Sequence, residues 1–169
     1  MASSASPAVA FPEATPMTAA DSPARILVVD DDAAFGGIVA EVLTARGYVA
    51  EAVNDPEVAI ERVRGGGYAT AVLDLVMPRL GGLELAERLR EISHDMQLVL
   101  LTGHADLRSA TAGMKHGVFA YLQKDEARMG VLEQTLEAAV TRWRLLQRQA
   151  QLVDDLEDAN RRLRLLHEA

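Results

Sequence analysis

Short apolar runs alternate with segments of helical period from residue 25 onward, and this alternation limits the fold more than any other feature. Continuous runs rich in Val, Leu and Ile, closed by turn residues, are typical of strands covered on both faces, as in parallel sheets. Such strands joined through helices form right-handed βαβ units. We therefore predict an α/β fold with a doubly wound, five-stranded parallel sheet, its strands at residues 26–30, 48–53, 69–74, 97–102 and 118–122.

The segments between the strands carry helix signals at their ends. Residues 33–46 have apolar side chains at helical spacing, and Gly47 follows as a C-terminal cap. Asp55 and Pro56 are typical of the start of a second helix, which the glycines at 65–67 end. Two more helices are predicted over residues 82–91 and 106–116.

The last segment, residues 127–169, has no proline and no glycine after Gly130. Two apolar series lie in it at alternating spacings of four and three residues, and their registers differ by a slip between Leu146 and Leu152. The series are Leu132, Leu136, Ala139, Trp143 and Leu146, then Leu152, Leu156, Ala159, Leu163 and Leu166. We predict a helix of about 60 Å, whose first part packs on the domain and whose second part projects as a coiled-coil-like extension.

Length and composition exclude several classes of protein. The 169 residues suffice for one well-cored domain, and the net charge of −8 argues against direct binding to DNA, which needs clustered Lys and Arg. The absence of cysteine excludes disulfides and thiolate metal sites and is compatible with the cytoplasmic location that we predict. No run approaches the roughly 18 apolar residues that span a bilayer.

Carboxylates follow two of the predicted strands. Asp30, Asp31 and Asp32 come at the end of the first strand, and Asp74 ends the third. Because ligands bind at the carboxyl ends of parallel strands, these side chains are expected to meet at one edge of the sheet. Such a cluster needs a hard divalent cation with oxygen ligands, most simply Mg²⁺, which leaves one carboxylate available for phosphoryl chemistry. For Asp32 the simpler interpretation is an N-cap of the first helix.

Residues 25–144 resemble the receiver domain of two-component response regulators, which has a flavodoxin-like fold. The resemblance lies in five positions at successive strand ends. They are the pair Asp30 and Asp31, then Asp74, Met77 with Pro78, Thr102 and Lys124.

The resemblance implies a role for each of these residues. Asp74 would accept a phosphoryl group from a histidine kinase or phosphotransfer protein. Asp31, Asp74 and the backbone carbonyl of Val76 would hold Mg²⁺ directly, and Asp30 would do so through water. Lys124 and Thr102 would contact phosphoryl oxygens, and Tyr121 would be the aromatic switch residue.

The sequence departs from the family pattern at two positions. Asp125 follows Lys124 where the family commonly has a proline, often in cis, so we expect an ordinary trans bond there. Val76 is apolar where some members carry a polar residue that helps to orient water, and slow self-dephosphorylation is expected.

These observations predict a disordered tail (1–23), a receiver domain (24–144) and a projecting helix or connector (145–169). The mixed charges of the last part favour a parallel homodimer, or a connector to a downstream sensory or kinase module. The predicted function is signalling without enzymatic turnover. Two alternatives stay open: an unphosphorylated dimerisation scaffold, and a phosphatase of the haloacid-dehalogenase class. The phosphatase would need a second acid two residues after Asp74, where this chain has Val76.

Overall fold

The computed structural model describes residues 22–103, 117–124 and 129–167. Within these ranges the chain forms a five-stranded parallel sheet, as predicted, and the strand order is β2-β1-β3-β4-β5. The strands are β1 (Arg25–Val29), β2 (Val49–Val53), β3 (Tyr68–Asp74), β4 (Gln97–Thr102) and β5 (Ala120–Gln123). The helices are α1 (Ala33–Ala45), α2 (Pro56–Arg64), α3 (Gly82–Ile92) and α4 (Met129–His167), which is called the C-terminal helix below. The helix predicted over 106–116 and residues 1–21 of the predicted tail lie outside the described residues.

Helices cover both faces of the sheet, and the strand sequences are therefore continuous apolar runs. Alternate residues of each strand point to opposite faces. One face packs on α2 and α3 through Leu27, Val29, Leu73, Leu98 and Leu100. The other packs on α1 and the C-terminal helix through Ile26, Val28, Val72, Val99 and Leu101. The central strands are thereby held in a fixed register, and their carboxyl ends form one edge.

The end of α1 explains why β2 starts one residue later than predicted. Gly47 has a φ of 92°, a left-handed conformation that glycine adopts without a Cβ penalty. The backbone N–H of Tyr48 donates to the Leu43 carbonyl at 3.2 Å, and that of Gly47 donates to Thr44 at 3.0 Å. These are the two bonds of a Schellman motif. Tyr48 therefore completes the helix end, and β2 begins at Val49.

The predicted limits of the last strand, 118–122, were wrong at both ends. The ladder between β4 and β5 pairs Val99 with Ala120 and Thr102 with Gln123. The pairing therefore runs one residue further toward Lys124 than the apolar pattern indicated. This places the last strand residue, Gln123, level with Thr102.

The C-terminal helix changes from buried to exposed along its length. Leu132, Leu136 and Ala139 are buried against the sheet, whereas every residue from 148 to 167 is exposed. At the point of change, Gln147 Nε2 donates to Asp95 Oδ2 at 3.3 Å, just before the first residue of β4. The exposed segment of 20 residues is about 30 Å long at 1.5 Å per residue. Among the described helices, none combines the length and the apolar character that crossing a bilayer requires.

Candidate functional site

Three carboxylates meet at the carboxyl edge of the sheet. Asp30 follows β1 directly, and Asp74 is the last residue of β3. Both are nearly inaccessible, with 2% and 5% of their surface exposed, whereas Asp31 is exposed. One carboxylate oxygen from each of the three lies within 4.8 Å of the others. Clustered carboxylate oxygens of this kind are the donors that a hard cation such as Mg²⁺ prefers.

Lys124 places a positive charge between the two buried acids. Its Nζ lies 2.5 Å from Asp30 Oδ2 and 3.1 Å from Asp74 Oδ2. The strand pairing fixes this position, because the Lys124 N–H donates to the Thr102 carbonyl at 2.7 Å, one residue beyond the ladder. The ammonium also lies 4.8 Å from the centre of the Phe35 ring on α1, a cation–π distance. Lys124 is thus held from both ends of its side chain.

The pKa values in this cluster follow from burial and from charge pairing. Burial raises the pKa of the Asp74 carboxyl above its ordinary value; the ion pair with Lys124 opposes the rise, and the charge of Asp30 adds to it. Burial alone would lower the pKa of Lys124, but its bonds to Asp30 and Asp74 outweigh burial and raise it. At neutral pH the ammonium is therefore charged and compensates part of the negative charge.

The loop after Asp74 is held against the sheet by backbone contacts. The Leu75 N–H donates to the Leu101 carbonyl at 2.7 Å, and the Gly82 N–H donates to the Leu75 carbonyl at 3.0 Å. Val76, on the same loop, donates its N–H to Asp74 Oδ1 at 3.3 Å. The Asp74 carboxylate is therefore positioned by its own loop as well as by β3.

Asp32 has the simpler role predicted for it. Its Oδ1 accepts from the N–H groups of Ala34 and Phe35 at 3.0 and 3.1 Å, which is an N-cap of α1. Its own N–H donates to Asp30 Oδ1 at 2.9 Å. The start of α1 thereby helps to orient Asp30, although Asp32 is not a member of the three-carboxylate cluster.

Thr102 and Tyr121 lie on the same face of the sheet. Thr102 is 1% exposed at the end of β4, and Tyr121 pairs in register with Leu100, two residues earlier. The Tyr121 ring packs on the core that also contains Leu100. Its hydroxyl is buried and has no hydrogen-bond partner within the part of the chain that the structure describes. A buried hydroxyl without a partner costs free energy.

The model of the response regulator receiver domain family matches residues 26–137. The chain belongs to this family. The response regulator MprA of Mycobacterium ulcerans (strain Agy99) is 36% identical over 131 residues, which are 78% of this chain and 53% of that protein. The chain therefore spans about half the length of this curated relative.

Solved structures agree in fold. A CheY-like response regulator receiver domain protein from Methanospirillum hungatei JF-1 matches with a TM-score of 0.66 and 26% identity, over 72% of this chain and 97% of that chain. A response regulator protein from Burkholderia pseudomallei, solved with a phosphorylated aspartic acid, calcium ion and citrate, matches with a TM-score of 0.63 and 25% identity, over 79% and 74%. This chain contains a receiver domain of two-component signalling systems, followed by a long C-terminal helix.

Three residues that support the receiver site carried no clear signal in the sequence. In the sequence, Phe35 is an ordinary apolar residue of a predicted helix, and Gly82 is the first residue of another. A Cβ on Gly82 would overlap the Asp74 carbonyl oxygen and lie 2.9 Å from Leu75 Cα. Arg79 adopts a φ of 68° and pairs with the α2 N-cap Asp55 at 3.0 Å. Each role depends on a tertiary contact, which a single sequence does not show.

The two departures from the family pattern lie at Val76 and at Asp125. Val76 lies two residues beyond Asp74, with 72% of its surface exposed. Asp125, whose bond to Lys124 was expected to be trans, is outside the described residues.

Proposed function

We propose that Asp74 accepts a phosphoryl group from a histidine kinase or phosphotransfer protein in a Mg²⁺-dependent reaction, and that the C-terminal helix transmits this state. The receiver would deliver it to a dimer partner or to a downstream output domain. The observation that carries the proposal is the buried pair Asp30 and Asp74, with one Lys124 ammonium between them and the exposed Asp31 beside them.

The geometry supports phosphoryl transfer to Asp74 rather than to its neighbours. A carboxylate oxygen of Asp74 would attack phosphorus while the bond from phosphorus to the donor's histidine nitrogen breaks. Asp30 is engaged by Lys124 and by the Asp32 N–H, and Asp32 by the start of α1. Asp74 is the acid at the end of the central strand β3, and its pKa is raised.

The residues present also suit the metal that the family implies. Asp31, Asp74 and the Val76 carbonyl would hold Mg²⁺ directly, with Asp30 acting through water. When bound, the ion reduces repulsion between the carboxylates and the incoming phosphoryl oxygens. The phosphorylated aspartic acid and calcium ion in the Burkholderia pseudomallei structure support the same chemistry.

Lys124 and Thr102 would receive the new charge. The Lys124 ammonium is a point charge within reach of Asp74 and would pair with a phosphoryl oxygen. Thr102 would donate its hydroxyl to another oxygen, and Tyr121, on the same face of the sheet, would move inward behind it. A charge change at Asp74 would thereby alter the surface near β5.

Intact mass after incubation with acetyl phosphate and Mg²⁺ tests the proposal. Wild type is expected to gain one phosphoryl group, and the gain is expected to disappear with EDTA and in Asp74→Asn. Asp32→Asn is the matched control, since it removes a carboxylate from the same edge while keeping an N-cap, and it should be modified like wild type. No gain in folded wild type with an active donor and Mg²⁺, or an equal gain in Asp74→Asn, would refute the assignment.

A further inference from the structure

After Arg148, the exposed part of the C-terminal helix, residues 148–167, carries its charges in two separate blocks. Four acids come first and three arginines follow. They are Asp154, Asp155, Glu157 and Asp158, then Arg161, Arg162 and Arg164. Every one of these side chains is exposed, so the segment has a negative half near the domain and a positive half away from it.

An apolar seam runs through both blocks. Its members follow one another at spacings of four and three, which defines the a and d positions of a heptad repeat. They are Leu152, Leu156, Ala159, Leu163 and Leu166, and the leucines are 57%, 70%, 58% and 75% exposed. This register places Gln149 at the preceding a position. An apolar seam so exposed is stabilised when another helix covers it.

The side chains flanking the seam distinguish the two orientations of a pair. In a parallel pair, each g position faces an e position of the other helix. Asp155 would then face Asn160, and Arg162 would face His167, so no pair of opposite charges forms. The acidic blocks would lie side by side, as would the basic blocks.

An antiparallel pair brings opposite charges together. With Leu152 packed on Leu163 of the second copy, and Leu156 on Ala159, Asp155 of each copy lies beside Arg162 of the other. Symmetry makes this ion pair twice, and Asp154 of each copy lies level with Arg161 of the other. Glu157 and Asp158 lie level with Asp158 and Glu157 of the other copy, at outer positions of the heptad. Arg148 then lies opposite His167, so the overlap uses only the exposed segment and leaves the two domains at opposite ends.

We propose that residues 148–167 pair with the same segment of a second copy of this chain in antiparallel orientation, instead of the parallel orientation expected from the sequence. The apolar seam supplies the attraction and the divided charges set the orientation. The same charges also form pairs within one helix, such as Arg161 with Asp158 at 3.6 Å. A single helix is therefore the competing state in the test.

Disulfide cross-linking determines the orientation directly, because the chain has no cysteine of its own. Gln149→Cys and Leu166→Cys are prepared separately in the full chain and oxidised alone and as a mixture. An antiparallel pair predicts a covalent dimer in the mixture and little in either variant alone. Dimers in each variant alone would establish a parallel pair, and no dimer in any sample would establish a monomeric helix; either result overturns the proposal.

A charge exchange tests the ion pair itself. Asp155→Arg is expected to weaken dimerisation about tenfold in analytical ultracentrifugation, and adding Arg162→Asp should restore it to within about threefold. Asp154→Arg makes the same charge change away from the seam and should shift the dissociation constant less than about threefold. Equal effects of Asp155→Arg and Asp154→Arg, or no recovery in the double variant, would contradict the pairing. Asp74→Asn separates this test from phosphorylation, since its helix is unchanged and should still pair.

Discussion

Lys124 binds Asp30 more closely than it binds Asp74, at 2.5 Å against 3.1 Å. Two buried carboxylates thus share one ammonium, and its positive charge compensates the closer carboxylate, Asp30, more strongly than Asp74. The remaining negative charge is concentrated at Asp74, whose pKa burial and the charge of Asp30 raise despite the ion pair. The residue proposed to react is therefore also the least compensated acid of the buried pair.

Replacing Asp74 by Asn should stabilise the domain at neutral pH when no divalent cation is present. A carboxyl whose pKa is higher in the folded state contributes stability below its unfolded pKa, near 3.9, and loses it as the pH rises through the folded pKa. At pH values above the folded pKa of Asp74, Asp74→Asn should be more stable than wild type by on the order of 1 kcal/mol. The substitution removes a buried charge, and Lys124 keeps its ion pair with Asp30. Near pH 3.5 the two proteins should be equally stable.

Urea unfolding in EDTA between pH 3.5 and 8 measures this difference. Asp32→Asn should show no comparable gain at neutral pH. Adding Mg²⁺ should stabilise wild type more than Asp74→Asn. A variant less stable than wild type at pH 7.5 in EDTA would show that the ion pair with Lys124 outweighs burial.

Gly82→Ala should displace the loop that carries the site. Its Cβ would overlap the Asp74 carbonyl and lie 2.9 Å from Leu75 Cα, so backbone must move, at about 1–3 kcal/mol of stability. Gly81→Ala is the matched control, because its nearest neighbour would be the Leu75 carbonyl oxygen at an ordinary 3.6 Å. We expect Gly82→Ala, but not Gly81→Ala, to slow labelling by acetyl phosphate at least about tenfold. A rise of about 1.4 kcal/mol in the activation free energy is enough for this effect. Equal labelling rates in the two alanine variants would show that the loop adapts without moving Asp74.

At Arg79 glycine should be better tolerated than alanine. The φ of 68° costs an ordinary residue about 1 kcal/mol that glycine does not lose. Both variants lose the exposed ion pair with Asp55, worth less than about 1 kcal/mol. Thermal unfolding should therefore rank Arg79→Gly above Arg79→Ala. At Arg88, inside α3, the order should reverse, since glycine weakens helix interiors; the same order at both sites would contradict the backbone explanation.

The fold and the cluster of three carboxylates could be predicted because both depend on local sequence patterns. Apolar runs ending in acids place Asp30 and Asp74 at one edge once a parallel sheet is inferred, and N-cap chemistry identifies Asp32 and Asp55. The contacts across the fold could not be predicted in this way. No local signal indicates the preference of Lys124 for Asp30 or the ring of Phe35 beneath its ammonium. The start of β2 could not be predicted either, because Tyr48 completes the end of α1 and the strand begins one residue later.

The contact between Gln147 and Asp95 places the exit of the C-terminal helix at the amino end of β4, whereas Asp74 lies at the carboxyl edge. The six residues of β4 separate the two by roughly 20 Å at 3.3 Å per residue. A kinase that docks over Asp74 and a second copy that pairs with the C-terminal helix would therefore bind at opposite ends of the sheet. Under these two proposals, phosphorylation of Asp74 and pairing of the helices would use different surfaces, so a dimer that has already formed would still accept the phosphoryl group.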